Sequence, residues 1–90
     1  MQTKNKKTLI LREKIGELIT RLRNENGYSC RKFAYEYDIS RSNLNKIENS
    51  EIDCKVITLW KISEALGIKM SELMKILEEE LGEKFTLIDK

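Results

Sequence analysis

The stretch Tyr28–Asn49, YSCRKFAYEYDISRSNLNKIEN, carries the reading of the fold. Two short helical patterns abut across Tyr37-Asp38-Ile39, and the second opens at Ser40 with polar side chains. Phe33, Ala34, Ile39, Leu44 and Ile47 are spaced to face one core. That leaves Arg41, Ser42, Asn43, Asn45 and Lys46 on the outer surface of the second helix. A short helix that buries one stripe and shows hydrogen-bond donors on the other fits the major groove of DNA.

Outward from this stretch, the remaining helices follow from apolar spacing and end signals. Leu11, Ile15, Ile19 and Leu22 predict a first helix over about Thr8–Asn26, stopped by Gly27. Ser29 is the expected N-cap of the second helix, and Ser40 that of the third, which runs to about Glu48. After a loop over Asn49–Cys54, a fourth helix spans about Lys55–Leu66, with Val56, Leu59, Ile62 and Leu66 facing inward. Ser71 opens a fifth, where Leu73, Met74 and Leu77 are apolar and Gly82 marks the far limit. The closing Glu83–Lys90 segment changes character, with a short β-prone run through Phe85, Leu87 and Ile88.

Composition narrows the function classes. Ninety residues without proline and with 36% charged side chains suit one small helical domain. No apolar run approaches the roughly 18 residues of a membrane span, so the reading is a cytoplasmic protein without membrane attachment. Histidine is absent and the two cysteines, Cys30 and Cys54, form no CxxC pair. Zinc, which takes about four Cys or His ligands in a structural site, is not expected, and neither is another metal or cofactor. Without histidine, a glycine-rich phosphate loop or a nucleophile elbow, no constellation supports an enzyme. Charge is uneven: residues 1–32 hold nine Lys/Arg against three acids, residues 33–90 eight against twelve. Such asymmetry suits one polyanion-facing side, although ordinary surface scatter gives it too.

Three segments in order, IGELITRLRNENGYS, KFAYEYDISRSNLNKIEN and TLWKISEALGI, make residues 11 to about 77 resemble the helix-turn-helix regulators of the phage-repressor and Cro-like family. The resemblance implies an all-α, five-helix, lambda-repressor-like DNA-binding domain whose helices 2 and 3 form the helix-turn-helix. It divides the chain into a basic arm (1–7), the helix-turn-helix domain (8–77) and a C-terminal extension (78–90). By position, Arg41, Ser42 and Lys46 match the family's base-contacting sites, with Asn43 and Asn45 beside them. Arg23 matches the arginine that pairs with the glutamate closing helix 3, here Glu48, as a structural ion pair. Ala34 takes the small-residue slot where helices 2 and 3 cross.

The residues also depart from the family pattern. Cys30 replaces the usual glutamine at the start of helix 2, Ser50 the glycine after Glu-Asn, and Cys54 the proline before helix 4. Glu51 and Asp53 place acids where DNA-binding members often carry basic or neutral residues, and acids beside a phosphate track cost affinity unless they point away.

Ser29 and Arg31, at the start of helix 2, and Lys55 are candidate phosphate contacts. Lys4, Lys6 and Lys7 are candidates for trailing along the duplex, or form a solvated tail. Cys30, near a helix N-terminus beside Arg31 and Lys32, has a setting that can depress a thiol pKa; a small packed side chain is the simpler reading. Tyr28, Tyr35 and Tyr37 read as packing residues. Trp60 falls toward an outer flank and suits a partner surface, with partial burial against helix 5 as the alternative. Phe85, Leu87 and Ile88 either fold back on the core or join Trp60 in a dimer contact.

The expected function is a sequence-specific, double-stranded-DNA-binding transcriptional repressor acting as a homodimer. The competing expectation is a protein-interaction module on the same scaffold, an antitoxin or anti-repressor partner using Trp60 and the tail.

Overall fold

A computed structural model describes the backbone of residues 2–88 and side-chain surroundings from residue 6 onward. Met1, Asp89 and Lys90 lie outside the described residues. Five helices follow one another: α1 (Gln2–Glu25), α2 (Cys30–Glu36), α3 (Arg41–Glu48), α4 (Val56–Ala65) and α5 (Met70–Leu81). No strand occurs among the described residues. α1 is the spine, packing against both α3 and α5, while α2 lies on α3 and α4 on α5.

One core joins all five helices. Leu18 and Ile19 of α1 meet Phe33, Leu44, Ile62 and Leu73, each at most 2% exposed. Ser63 is equally buried, and its hydroxyl donates to the Trp60 carbonyl at 2.8 Å, so the polar atom is satisfied inside its own helix.

Side-chain caps start α2 and α3. Ser29 Oγ accepts the Lys32 amide at 3.1 Å and Ser40 Oγ accepts the Asn43 amide at 3.2 Å. Each supplies an acceptor to an N–H that the first helical turn leaves unpaired. At the other end of α1, the Tyr28 amide reaches back to Arg23 O (3.2 Å) and the Gly27 amide to Asn24 O (3.0 Å). Gly27 takes φ +78°, the left-handed conformation this closure needs.

Several boundaries and orientations differ from the sequence reading. α1 begins at Gln2 rather than Thr8, so the backbone of residues 2–7 continues the helix. Leu9 and Ile10, both 45% exposed, lie on this first half of α1, ahead of the core. Leu18, absent from the predicted stripe, is one of the best-buried side chains of α1, whereas Leu11, Ile15 and Leu22 are only partly covered. Val56 is 67% exposed: it is the first residue of α4, at the open end of the helix, where apolar spacing alone gives it no neighbour. α5 begins at Met70 behind Lys69, without a side-chain cap, so Ser71 lies inside the first turn rather than opening the helix. Beyond Gly82 the β-prone run makes no ladder. Thr86 Oγ1 accepts the Ile88 amide at 3.2 Å and closes a local turn.

Candidate nucleic-acid interface

The polar face of α3 is built by what lies behind it. Leu44 is fully buried and Ile47 is 3% exposed, while Ile39 seals the turn from α2 at 7%. With that stripe pinned to the core, Arg41, Ser42, Asn43, Asn45 and Lys46 are all exposed. Ser29, Arg31 and Lys32 at the start of α2, with Tyr35 and Arg41, border a concave surface floored by Ala34 and Ile39. Lys55 is the exposed N-cap residue of α4.

Two contacts hold α3 against α1. Arg23 donates through Nε to Glu48 Oε2 (2.8 Å) and through Nη2 to Glu48 Oε1 (2.9 Å), a bidentate pair with both side chains 9% exposed. Its Nη1 donates to Tyr28 O at 2.7 Å and to Asn24 Oδ1 at 3.2 Å, so these contacts engage four of the five guanidinium N–H groups. The hydrogen bonds to Glu48 raise the Arg23 pKa, against the opposing effect of burial. The second contact is backbone to backbone at Gly16. A Cβ there would stand 2.6 Å from Glu48 O and 2.8 Å from Ile47 O. An isolated glycine inside a helical pattern is the sequence signal for such an approach. Only hydrogen fits.

Cys30 is half-buried, and its Sγ donates to Asn45 Oδ1 at 3.0 Å. Its pKa is raised, first by burial and then by Glu48, which outweigh Arg23 and Arg41. Burial thus favours the simpler reading of Cys30 as a small packed side chain over a pKa-lowering setting. Burial also pushes the Cys54 thiol up, to about 11. Among the described residues no group of three His, Cys, Asp or Glu side chains could hold a metal ion, and no helix is long and apolar enough to cross a membrane.

The acidic loop is partly neutralised. Asp53 Oδ1 accepts from Arg12 Nε at 2.7 Å, which ties the loop to α1. Glu51 is exposed. Glu80, exposed on α5, accepts from Arg21 Nη2 at 2.5 Å and joins α5 to α1. Lys61 of α4 donates to the Asp38 carbonyl at 3.1 Å, anchoring the turn between α2 and α3.

The aromatic residues divide. Tyr28, Phe33 and Tyr37 form a cluster with ring centroids 5.3–5.7 Å apart. The Tyr28 and Tyr37 hydroxyls share a hydrogen bond at 2.9 Å, and that bond, before any other cause, pushes the Tyr28 pKa up to about 12. Tyr35 is 87% exposed and belongs to the α2 surface rather than to packing. Trp60 is 52% exposed beside Ile57 at 76%. In the tail, Phe85 is half-buried and Leu87 lies in a crevice with Leu11, Ile15 and Ile52, while Ile88 is mainly exposed.

Residues 19–73 match the helix-turn-helix family model, a span that contains both capped helices and the buried turn between them. The chain belongs to that helix-turn-helix family. It shares 35% identity over 68 residues with the control protein C.MunI from Mycoplasma sp., covering 74% of this chain and 92% of the relative. Among solved structures, an HTH_3 family transcriptional regulator from Vibrio cholerae superposes with TM-score 0.69 at 26% identity, over 77% of this chain and 39% of that one. The fold also matches a tyrosine-to-phenylalanine mutant of the restriction-modification controller protein C.Esp1396I, with TM-score 0.73 and 22% identity over 82% of this chain and 94% of the other. The clp gene regulator ClgR from C. glutamicum matches at TM-score 0.70 and 20% identity, over 82% and 96% of the two chains. This helix-turn-helix protein is thus a DNA-binding transcriptional regulator by family, not an enzyme.

Proposed function

We propose that the protein is a sequence-specific regulator of double-stranded DNA, a cytoplasmic repressor that inserts α3 into the major groove. One observation carries this reading: α3 is fixed from behind by Arg23–Glu48 and Gly16 while its polar side chains stay in solvent. Arg41 and Lys46 donate to guanine O6 and N7, with Ser42, Asn43 and Asn45 completing the base-facing set. Ser29, Arg31 and Lys55 contact phosphates and set the register. The Arg12–Asp53 bond draws one loop carboxylate toward α1, which lowers the repulsion expected along the phosphate track. Repression then needs only occupancy of the site.

A single α3 reads few bases, so the working unit is a homodimer with half-sites about one helical turn, roughly 34 Å, apart. Trp60 and the tail residues Phe85, Leu87 and Ile88 remain the proposed contact, joined by the exposed Val56 and Ile57. Sedimentation of the wild type, Trp60→Ser and a deletion of 83–90 tests this. A wild type that stays monomeric at high micromolar concentration removes the dimer.

Selection from a random duplex library tests the DNA reading itself. The expected result is an enriched two-fold-symmetric motif; Arg41→Ala relaxes one position in each half-site, and Lys55→Ala weakens all sequences about equally. The same apolar α4 surface favours the second reading, a protein-interaction module. Binding to random duplex separates them: a regulator loses affinity steeply with added salt, whereas an interaction module binds little at any salt.

A further inference from the structure

The bond between Cys30 and Asn45 crosses from α2 to α3 and joins residues far from each other in the chain. An asparagine amide carries two acceptor lone pairs on oxygen and two donor hydrogens on nitrogen. Left alone on a helix surface, it turns readily about its last torsion and offers either end. Here Oδ1 accepts from the thiol, so Nδ2, on the other limb of the amide, is directed away from Cys30. Nδ2 has no hydrogen-bond partner among the described residues. Asn45 itself is exposed.

Arg41 stands one helical turn before Asn45, on the same side of α3. It too offers only donors. Burial and Glu48 keep the Cys30 proton in place at neutral pH, so the thiol remains a donor and Oδ1 keeps its partner. The two exposed side chains on this flank therefore present N–H groups side by side. Adenine is read by an asparagine that donates to N7 and accepts from N6, which requires both limbs of the amide on the base. Guanine offers two acceptors at the same edge.

We propose that Cys30 is a positioning residue for DNA specificity: its thiol engages Asn45 Oδ1 and so turns the N–H limb of the amide outward, which favours guanine over adenine at the base it faces. This rests on the major-groove reading of α3 given above. Cys30→Ala frees the amide to turn, and adenine becomes acceptable at the base facing Asn45. Cys30→Ser keeps a donor at nearly the same place.

The test pairs NMR of the free protein with selection from a random duplex library. In the free protein, the Asn45 side-chain amide signals should shift and narrow in Cys30→Ala and change little in Cys30→Ser. In the library, the wild type and Cys30→Ser should share one motif. Cys30→Ala should lose about threefold to tenfold preference for guanine, the worth of one hydrogen bond, at the single position that Asn45→Ala also alters. Cys30→Ala combined with Asn45→Ala should be no worse than Asn45→Ala alone. Thermal melting of each variant accompanies both readouts. A Cys30→Ala protein with unmoved Asn45 signals, or with the wild-type motif intact, overturns the assignment. So does a uniform loss across all bases, which would mean that Cys30 only packs α2. A wild type that enriches no motif overturns the DNA reading, and this assignment with it.

Discussion

Four helices of this protein end in the same closure, and they divide into two pairs. In each, the amide two residues past the cap reaches back five residues: Tyr28 to Arg23, Ile39 to Ala34, Glu51 to Lys46 and Ile68 to Ser63. The left-handed residue is glycine after α1 and α4, but Asp38 (φ 54°) after α2 and Ser50 (φ 65°) after α3. A side chain in that conformation costs on the order of 1–2 kcal/mol. Both strained closures bracket α3, the proposed reading helix. Strain of this kind persists where surrounding contacts over-determine it. Here those contacts are the Arg23–Glu48 pair, the close passage at Gly16 and the Lys61 bond to the Asp38 carbonyl. The glycine-closed ends are set by local chemistry, the α3 ends by neighbours.

The largest effect should come from removing the neighbour. Glu48→Ala leaves the buried Arg23 guanidinium without its carboxylate and should cost about 3–5 kcal/mol in denaturant unfolding. A cost under about 1 kcal/mol would mean that the closure holds itself, and the comparison would fail. Gly16→Ala comes next. An unobstructed helix interior gains about 0.5–1 kcal/mol from this change. Here the added methyl meets the Glu48 and Ile47 carbonyls, so a loss of about 1–3 kcal/mol is expected, with weaker DNA binding as α3 is pushed outward.

Exchanging the closing residues gives opposite signs. Gly27→Ala should destabilise by about 1–2 kcal/mol, since the new side chain must adopt the left-handed conformation. Ser50→Gly should stabilise by about 0.5–1 kcal/mol, the relieved strain less the added freedom of the unfolded chain. Thermal unfolding of the two variants side by side reads both signs.

The smallest effect concerns the aromatic group beside the α1 closure. Its hydrogen bond to Tyr37 raises the Tyr28 pKa from 10.0 to about 12, so the folded state binds that proton more tightly than the unfolded chain. The resulting stabilisation is complete below pH 10 and disappears as pH rises through about 12. Tyr37→Phe should bring the last tyrosine ionisation down toward its ordinary value, as read from tyrosinate absorbance. An unchanged titration would detach this ring group from the α1 closure.

Much of the framework behind the candidate interface was legible in the sequence because it is local. Ser29 and Ser40 announce caps, and the spacing of Phe33, Leu44 and Ile47 fixes which side of α2 and α3 turns inward. The resemblance also supplied the Arg23–Glu48 pair and pointed to Ser50 as a substituted glycine, whose conformation now shows what that replacement means. Less visible were contacts between distant segments. Arg12 meets Asp53 across 41 residues and Arg21 meets Glu80 across 59, and no helical period encodes such pairings. Val56 illustrates the reverse error: it keeps the apolar rhythm of α4, yet no other element arrives to cover it.

The amino-acid order by itself determined five helices, the serine caps of α2 and α3 and the polar face of α3, because each depends on backbone groups and side chains within a turn or two. The three-dimensional fold alone decided that the α1 backbone passes against the end of α3 at Gly16, that the Cys30 thiol reaches Asn45, and that Glu80 pairs with Arg21 of α1. Those outcomes depend on how helices cross. Crossing is set by the packing of a shared core, which no single segment contains.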